Sequence, residues 1–209
     1  MRKEPKERVT KDPEERRQEL IDAAEGLFME KGYEQTAVSD IVREVQVAHG
    51  TFYYYFPSKE DILEAVIDKN IAGLESNVKE IMQRQDLAPA SKLNAMVNSI
   101  IGINVARRKL MDYLHEESNA VMHEKMERRT VDRLVPLLTE VVAFGAKEGS
   151  FNVQNPRETA EFLLASLVYF FHHPEIFANP GRSEKMRHTL ETILGRVLGA
   201  KNYNFVLMF

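Results

Sequence analysis

The chain has no cysteine among its 209 residues, which excludes a disulfide framework, thiolate metal sites and a cysteine nucleophile, and suits a reducing cytoplasm. A basic surplus is missing too. Lysine and arginine number 28 against 32 acidic residues, a net charge of -4, so charge alone argues against a nucleic-acid partner. Long hydrophobic runs are also lacking: the longest, Phe162 to Phe171 interrupted by Ser166, is far short of the ~20 residues that span a bilayer. No membrane role is expected. Residues 1–20 are charged throughout and carry no apolar stretch of the secretory kind, so a cytoplasmic location is expected. Glycine-rich phosphate loops, paired carboxylates and nucleophile–base spacings are absent, and an enzyme is not expected.

What remains is a globular balance of 44% hydrophobic and 29% charged residues, with helical periodicity from end to end and no strand alternation. Arg2, Lys3, Lys6, Arg8, Lys11, Arg16 and Arg17 alternate with acids, so residues 1–12 read as a solvated, disordered arm. Pro13 with Glu14 and Glu15 marks a helix start, because proline suits the first turn and the acids suit the dipole's positive end. Leu20, Ala24, Leu27 and Phe28 continue that helix until Gly32 stops it. A short helix over 38–45 buries Val38, Ile41, Val42 and Val45, and another covers about 48–56. Ser58 with Asp61 caps a fourth helix of more than twenty residues. Further helices are expected over 90–106, 108–116, 119–147, 156–173 and 183–199, punctuated by Gly149, Asn155-Pro156 and Asn179-Pro180-Gly181.

Two short amphipathic helices joined by about three residues form the unit that offers its second helix to a major groove. On that second helix Phe52, Tyr55 and Phe56 share one face and can pack on Ile41, Val45 and Leu27. His49, Gly50, Tyr53 and Tyr54, with Thr51 beside them, form the opposite face. Those side chains offer donors and acceptors to bases and phosphates, and Gly50 lets the backbone come close. Lys59 stands at the next helix start, where an anion is also welcome.

Gly32-Tyr33, Thr36, Asp40-Ile41, Val47, Gly50-Thr51-Phe52-Tyr53-Tyr54-Tyr55-Phe56 and Ser58-Lys59-Glu60 resemble, in order and spacing, the headpiece of the TetR family of bacterial regulators. The resemblance covers about residues 14–70. It implies an all-α protein in two parts: a three-helix DNA-binding headpiece over 1–57 and a helical-bundle ligand-binding and dimerisation body over 58–209. It also implies a repressor released from a palindromic operator by a small effector. His49, Gly50, Thr51 and Tyr54 would lie near bases; Thr36, Tyr53, Tyr55 and Lys59 would hold phosphates. Tyr55 thus has two roles, ring inward and hydroxyl outward. Ser39 and Ala48 complete the DNA-facing set, although the family often has a basic residue and a capping serine there. Gln46 replaces the usual turn glycine, at roughly 1 kcal/mol if left-handed, and Ala37 replaces a capping threonine. These departures keep open a rival reading, a relative that has lost DNA binding and acts through protein partners.

In the body, Leu163, Leu167, Phe170 and Phe171 with Leu190, Ile193, Leu194 and Val197 are expected to form the seam of a homodimer, a four-helix bundle of two helices from each subunit. An apolar effector is expected against Met96, Ile100, Asn104, Tyr113, His115, Met122, Met126, Phe144, Phe162 and Tyr169. No cofactor or metal is expected, since His115, His123, His172 and His173 lack a compact ligand spacing. The apolar run Tyr203 to Phe209 is left with three roles: packing on a partner subunit, covering a pocket mouth, or fraying.

Overall fold

The structure, a computed structural model, describes residues 12–106, 108–114, 119–173, 180–200 and 203–208, with side chains described except at 103–106, 108, 111, 120–121 and 171–172. Nine helices account for the described fold: α1 (Pro13–Lys31), α2 (Val38–Val45), α3 (His49–Tyr55), α4 (Lys59–Gln83), α5 (Pro89–Ala106), α6 (Arg108–Leu114), α7 (Ala120–Lys147), α8 (Pro156–His172) and α9 (Pro180–Val197). No strand occurs among the described residues.

Local chemistry sets these boundaries. Asp12, which the sequence reading leaves in a disordered arm, is instead the N-cap of α1, its carboxylate accepting from the Glu14 amide at 2.8 Å. Gly32 ends α1 at φ 90 and ψ 161, a positive-φ conformation in which a side chain would be strained. α9 already includes Pro180, three residues before the start that the sequence suggests.

The chain divides into two compact units, Met1–Ile67 and Asp68–Phe209. The division falls inside α4, not between Pro57 and Ser58 as expected, because Ile62, Leu63 and Val66 are fully buried and belong to the first unit. That unit centres on Leu20, Ile21, Ala24, Phe28, Ile41, Val42, Phe52 and Phe56, all buried. The second unit has its own core, in which Leu93, Met96, Val97 and Ile101 of α5 meet Leu134, Leu138 and Val142 of α7 and Leu164 of α8. Its α4 is tied to α7 by Arg129–Asp68 at 3.0 Å and Arg133–Glu75 at 3.8 Å. No helix of the described residues is long and apolar enough to cross a membrane.

Candidate nucleic-acid interface

The headpiece presents α3 through a network that begins one helix earlier. Asp40 on α2 accepts from the Ala37 amide at 3.1 Å, from the Lys31 ammonium, and from Arg43 Nη2 at 2.6 Å. The hydrogen bond from Lys31, with that from the Ala37 amide, holds the Asp40 carboxyl at about 2, below its ordinary 3.8. Asp40 therefore supplies the half of a capping box that serves the Ala37 amide, while Ala37, lacking a polar side chain, makes no side-chain cap bond of its own.

The α2–α3 turn runs through Gln46, which adopts the left-handed conformation (φ 59, ψ 44) while its amide donates to the Arg43 carbonyl at 3.2 Å. A Cβ in that region is strained by about 1 kcal/mol. A Gln46→Gly variant is accordingly expected to stabilise the headpiece by about that amount, visible as a higher urea midpoint at unchanged slope. A lower midpoint would mean that the Gln46 side chain makes contacts that outweigh the strain.

The faces of α3 separate cleanly. Phe52 and Phe56 are buried, 5.9 Å apart between ring centroids, and Arg17 stacks over the Phe56 ring. Tyr54 is 78% exposed and Tyr53 55%, while Ala48, His49 and Gly50 are exposed and Thr51 and Tyr55 half-buried. Both exposed rings are braced edge-on, Tyr53 against Phe52 at 5.3 Å and Tyr54 against Tyr55 at 4.9 Å. A Cβ added at Gly50 would meet no atom within 4 Å, so nothing inside the protein demands a glycine there. No acidic residue occurs on α3. Ser39 is exposed on α2.

Two expected phosphate contacts are corrected. Thr36 is completely buried, its hydroxyl donating to the Gly32 carbonyl at 2.8 Å. Lys59 turns inward: its ammonium donates to the carbonyls of Tyr33 (3.1 Å) and Thr36 (3.2 Å) and lies 4.0 Å from the Tyr33 ring centroid. A cation at a helix N-terminus gains by meeting carbonyl oxygens, and the α1–α2 loop supplies two. Lys59 is thus a clasp on the loop before α2.

The body holds the remaining expected residues in different settings. Leu163, Leu167 and Leu194 are nearly buried and, with Phe170, Leu190 and Ile193, line an open apolar groove of about 420 Å³ between α8 and α9. Phe162 and Tyr169, expected in the effector pocket, stand 54% exposed along this same groove. Their correction is angular: they fall on the outer side of α8, away from the body's core. Val197 packs partly against the core. Met96 and Ile100 are core residues with no free surface for a ligand, and Phe144 is 44% exposed at a separate open cleft with Lys79, Glu140 and Lys92. Tyr113, Met122 and Met126 are half-buried. His115 and the side chains of Asn104 and Phe171 lie outside the described residues.

Asn70 was not anticipated. Both polar atoms of its amide are buried on α4 without a hydrogen-bond partner, an arrangement that ordinarily costs free energy. The signal was available in sequence, a polar residue within the apolar series Ile67, Ile71, Leu74 and Val78. Among the described residues no group of three or more His, Asp or Glu could hold a metal ion.

Comparison with known proteins falls on both units. The family described as bacterial regulatory proteins, tetR family, matches residues 20–66, and a tetracyclin repressor-like C-terminal domain matches residues 100–190. The HTH-type transcriptional repressor KstR2 of Rhodococcus jostii is 30% identical over 141 residues, 65% of this chain and 68% of that protein. A transcriptional regulator from the lacX 3' region of Lactococcus lactis is 32% identical over 84 residues, and there the chain spans only 43% of its relative's length. The crystal structure of RolR in complex with resorcinol shares the fold, with a TM-score of 0.63 at 18% identity over 90% of each chain.

Proposed function

From the premise that the chain belongs to the TetR family of bacterial regulatory proteins, DNA-binding transcriptional regulators and not enzymes, we propose that it is a cytoplasmic, homodimeric repressor. It holds a palindromic operator and leaves it when a small, largely apolar effector enters the body. The observation that carries this reading is the outward face of α3, where two braced, exposed tyrosines flank a glycine with open space around it. Exposed aromatics on a seven-residue helix are costly to solubility unless a partner uses them.

In this reading His49, Gly50, Thr51 and Tyr54 meet base edges, and Ser39, Ala48, Tyr53 and the Tyr55 hydroxyl meet phosphates. Pairing through the α8–α9 groove sets two recognition helices about 34 Å apart, one turn of duplex. The repressor sense rests on the naming of relatives such as KstR2. Effector control rests on the buried, unpartnered Asn70 amide, which suits an apolar molecule bearing one donor or acceptor, and on the fold's capacity in RolR to take resorcinol. An effector releases DNA only through a difference in affinity between two conformations of the dimer.

A gel shift with the DNA flanking its own gene tests the proposal. A complex that survives excess unrelated DNA and weakens steeply with salt is the expected result. Absence of any sequence-selective complex would favour the relative that works through protein partners.

A further inference from the structure

Residues 203–208 form a non-helical segment that lies on the second unit, and its backbone is held by side chains from two helices. On α5, Asn98 Nδ2 donates to the Val206 carbonyl at 2.8 Å, Asn94 Oδ1 accepts from the Val206 amide at 2.9 Å, and Asn98 Oδ1 accepts from the Met208 amide at 2.9 Å. On α9, Glu191 Oε1 accepts from the Leu207 amide at 2.9 Å while Arg187 steadies the same oxygen at 2.8 Å. Side chains alternate as in a strand: Phe205 and Leu207 are 3% and 4% exposed, Val206 and Met208 53% and 68%.

This arrangement has the two parts of an extended-peptide receptor. Polar groups engage the backbone whatever its sequence, and apolar pockets select alternate side chains. Asn94 and Asn98, one helical turn apart, satisfy both polar groups of Val206, so the segment needs no neighbouring strand. Leu207 also forms part of the wall of the α8–α9 groove, beside Val97 and Leu194. The segment therefore completes the surface on which self-association is proposed.

We infer that the cleft between α5 and α9 is a receptor for an extended apolar-x-apolar peptide, filled by the chain's own residues 203–208, and that the docked strap controls the strength of the dimer. The second clause rests on the dimer reading; the first does not. Removing the strap withdraws Leu207 from the groove wall and uncovers the pockets of Phe205 and Leu207, which roughens the face that a second copy must match.

The test uses the full chain with Phe205→Asp and Leu207→Asp, which frees the strap and leaves the receptor intact. Sedimentation should give a dimer dissociation constant raised about tenfold or more, in the range expected for a central apolar contact. Saturating amounts of the peptide Tyr-Asn-Phe-Val-Leu-Met should restore it. A labelled form of that peptide should bind the freed chain by fluorescence anisotropy, and adding Asn94→Ala and Asn98→Ala should abolish binding. A freed chain that dimerises as before, or that takes up no peptide, overturns the inference. An unaltered chain that is monomeric at every concentration removes the dimer reading instead, while anisotropy still decides the receptor. Should the doubly charged variant not fold, hydrogen exchange on the full chain carrying only the two asparagine changes decides it. The amides of Val206, Leu207 and Met208 should then exchange much faster than in the unaltered chain; unchanged protection overturns the inference.

Discussion

A Phe52→Ala variant is expected to unfold the headpiece while leaving the body folded. Phe52 is completely buried and packs on Phe56, and truncating a buried phenylalanine costs about 3–5 kcal/mol in transfer and cavity terms. A unit of this size, at roughly 0.05–0.15 kcal/mol per residue, has only about 3–8 kcal/mol to lose. The second unit has a separate core built from α5, α7, α8 and α9, none of which includes Phe52. Calorimetry should therefore split into an early headpiece transition and a body transition near its original temperature. Operator binding should vanish with the first. A single transition shifted as a whole would mean the two units unfold as one, and that the boundary inside α4 has no thermodynamic meaning.

The elements of the headpiece were legible because each signal is local. Pro13, Gly32 and the Ser58–Asp61 pair act within a turn of themselves, and the apolar spacing of α2 and α3 assigns Ile41, Val42, Phe52 and Phe56 to one core. Lys59 and Thr36 were misread for the complementary reason. For Lys59 the partners, the carbonyls of Tyr33 and Thr36 and the Tyr33 ring, are brought near only by tertiary folding, 26 residues back in the case of Tyr33. For Thr36 the hydroxyl partner is local, the Gly32 carbonyl four residues earlier, and it is the complete burial of the side chain that depends on the tertiary fold. In the body the helices were legible and the faces were not. Phe162 and Tyr169 belong to a helix that is apolar on more than one side, so periodicity cannot say which side meets the core and which the groove. The apolar run of the strap stood out in the sequence with three roles left open, but its docking site did not: the hydrogen bonds between Asn94 and Asn98 and the backbone of Val206 and Met208 span more than a hundred residues.

Gly50 offers the sharpest separation of folding from recognition, because the two respond to substitution with opposite sign. The residue is exposed on α3 with nothing within 4 Å of a new Cβ, so Gly50→Glu meets no steric cost in the free protein. Replacing a helical glycine by glutamate gains up to about 1 kcal/mol of helix propensity, and an acid in the first turn adds a few tenths more through the helix dipole. The variant should melt at or above the temperature of the unaltered chain. Against a duplex the same side chain inserts bulk and negative charge where the backbone is proposed to approach bases and phosphates. A loss of at least 100-fold in operator affinity is expected, about 2.7 kcal/mol. Gly50→Ala, which adds one methyl and no charge, should fold equally well and bind with an intermediate affinity. Were Gly50→Glu to bind operator as tightly as the parent at equal stability, α3 could not be the element that enters the groove. A loss of binding that merely tracked a loss of stability would point to a packing role for Gly50, which the open space around it argues against.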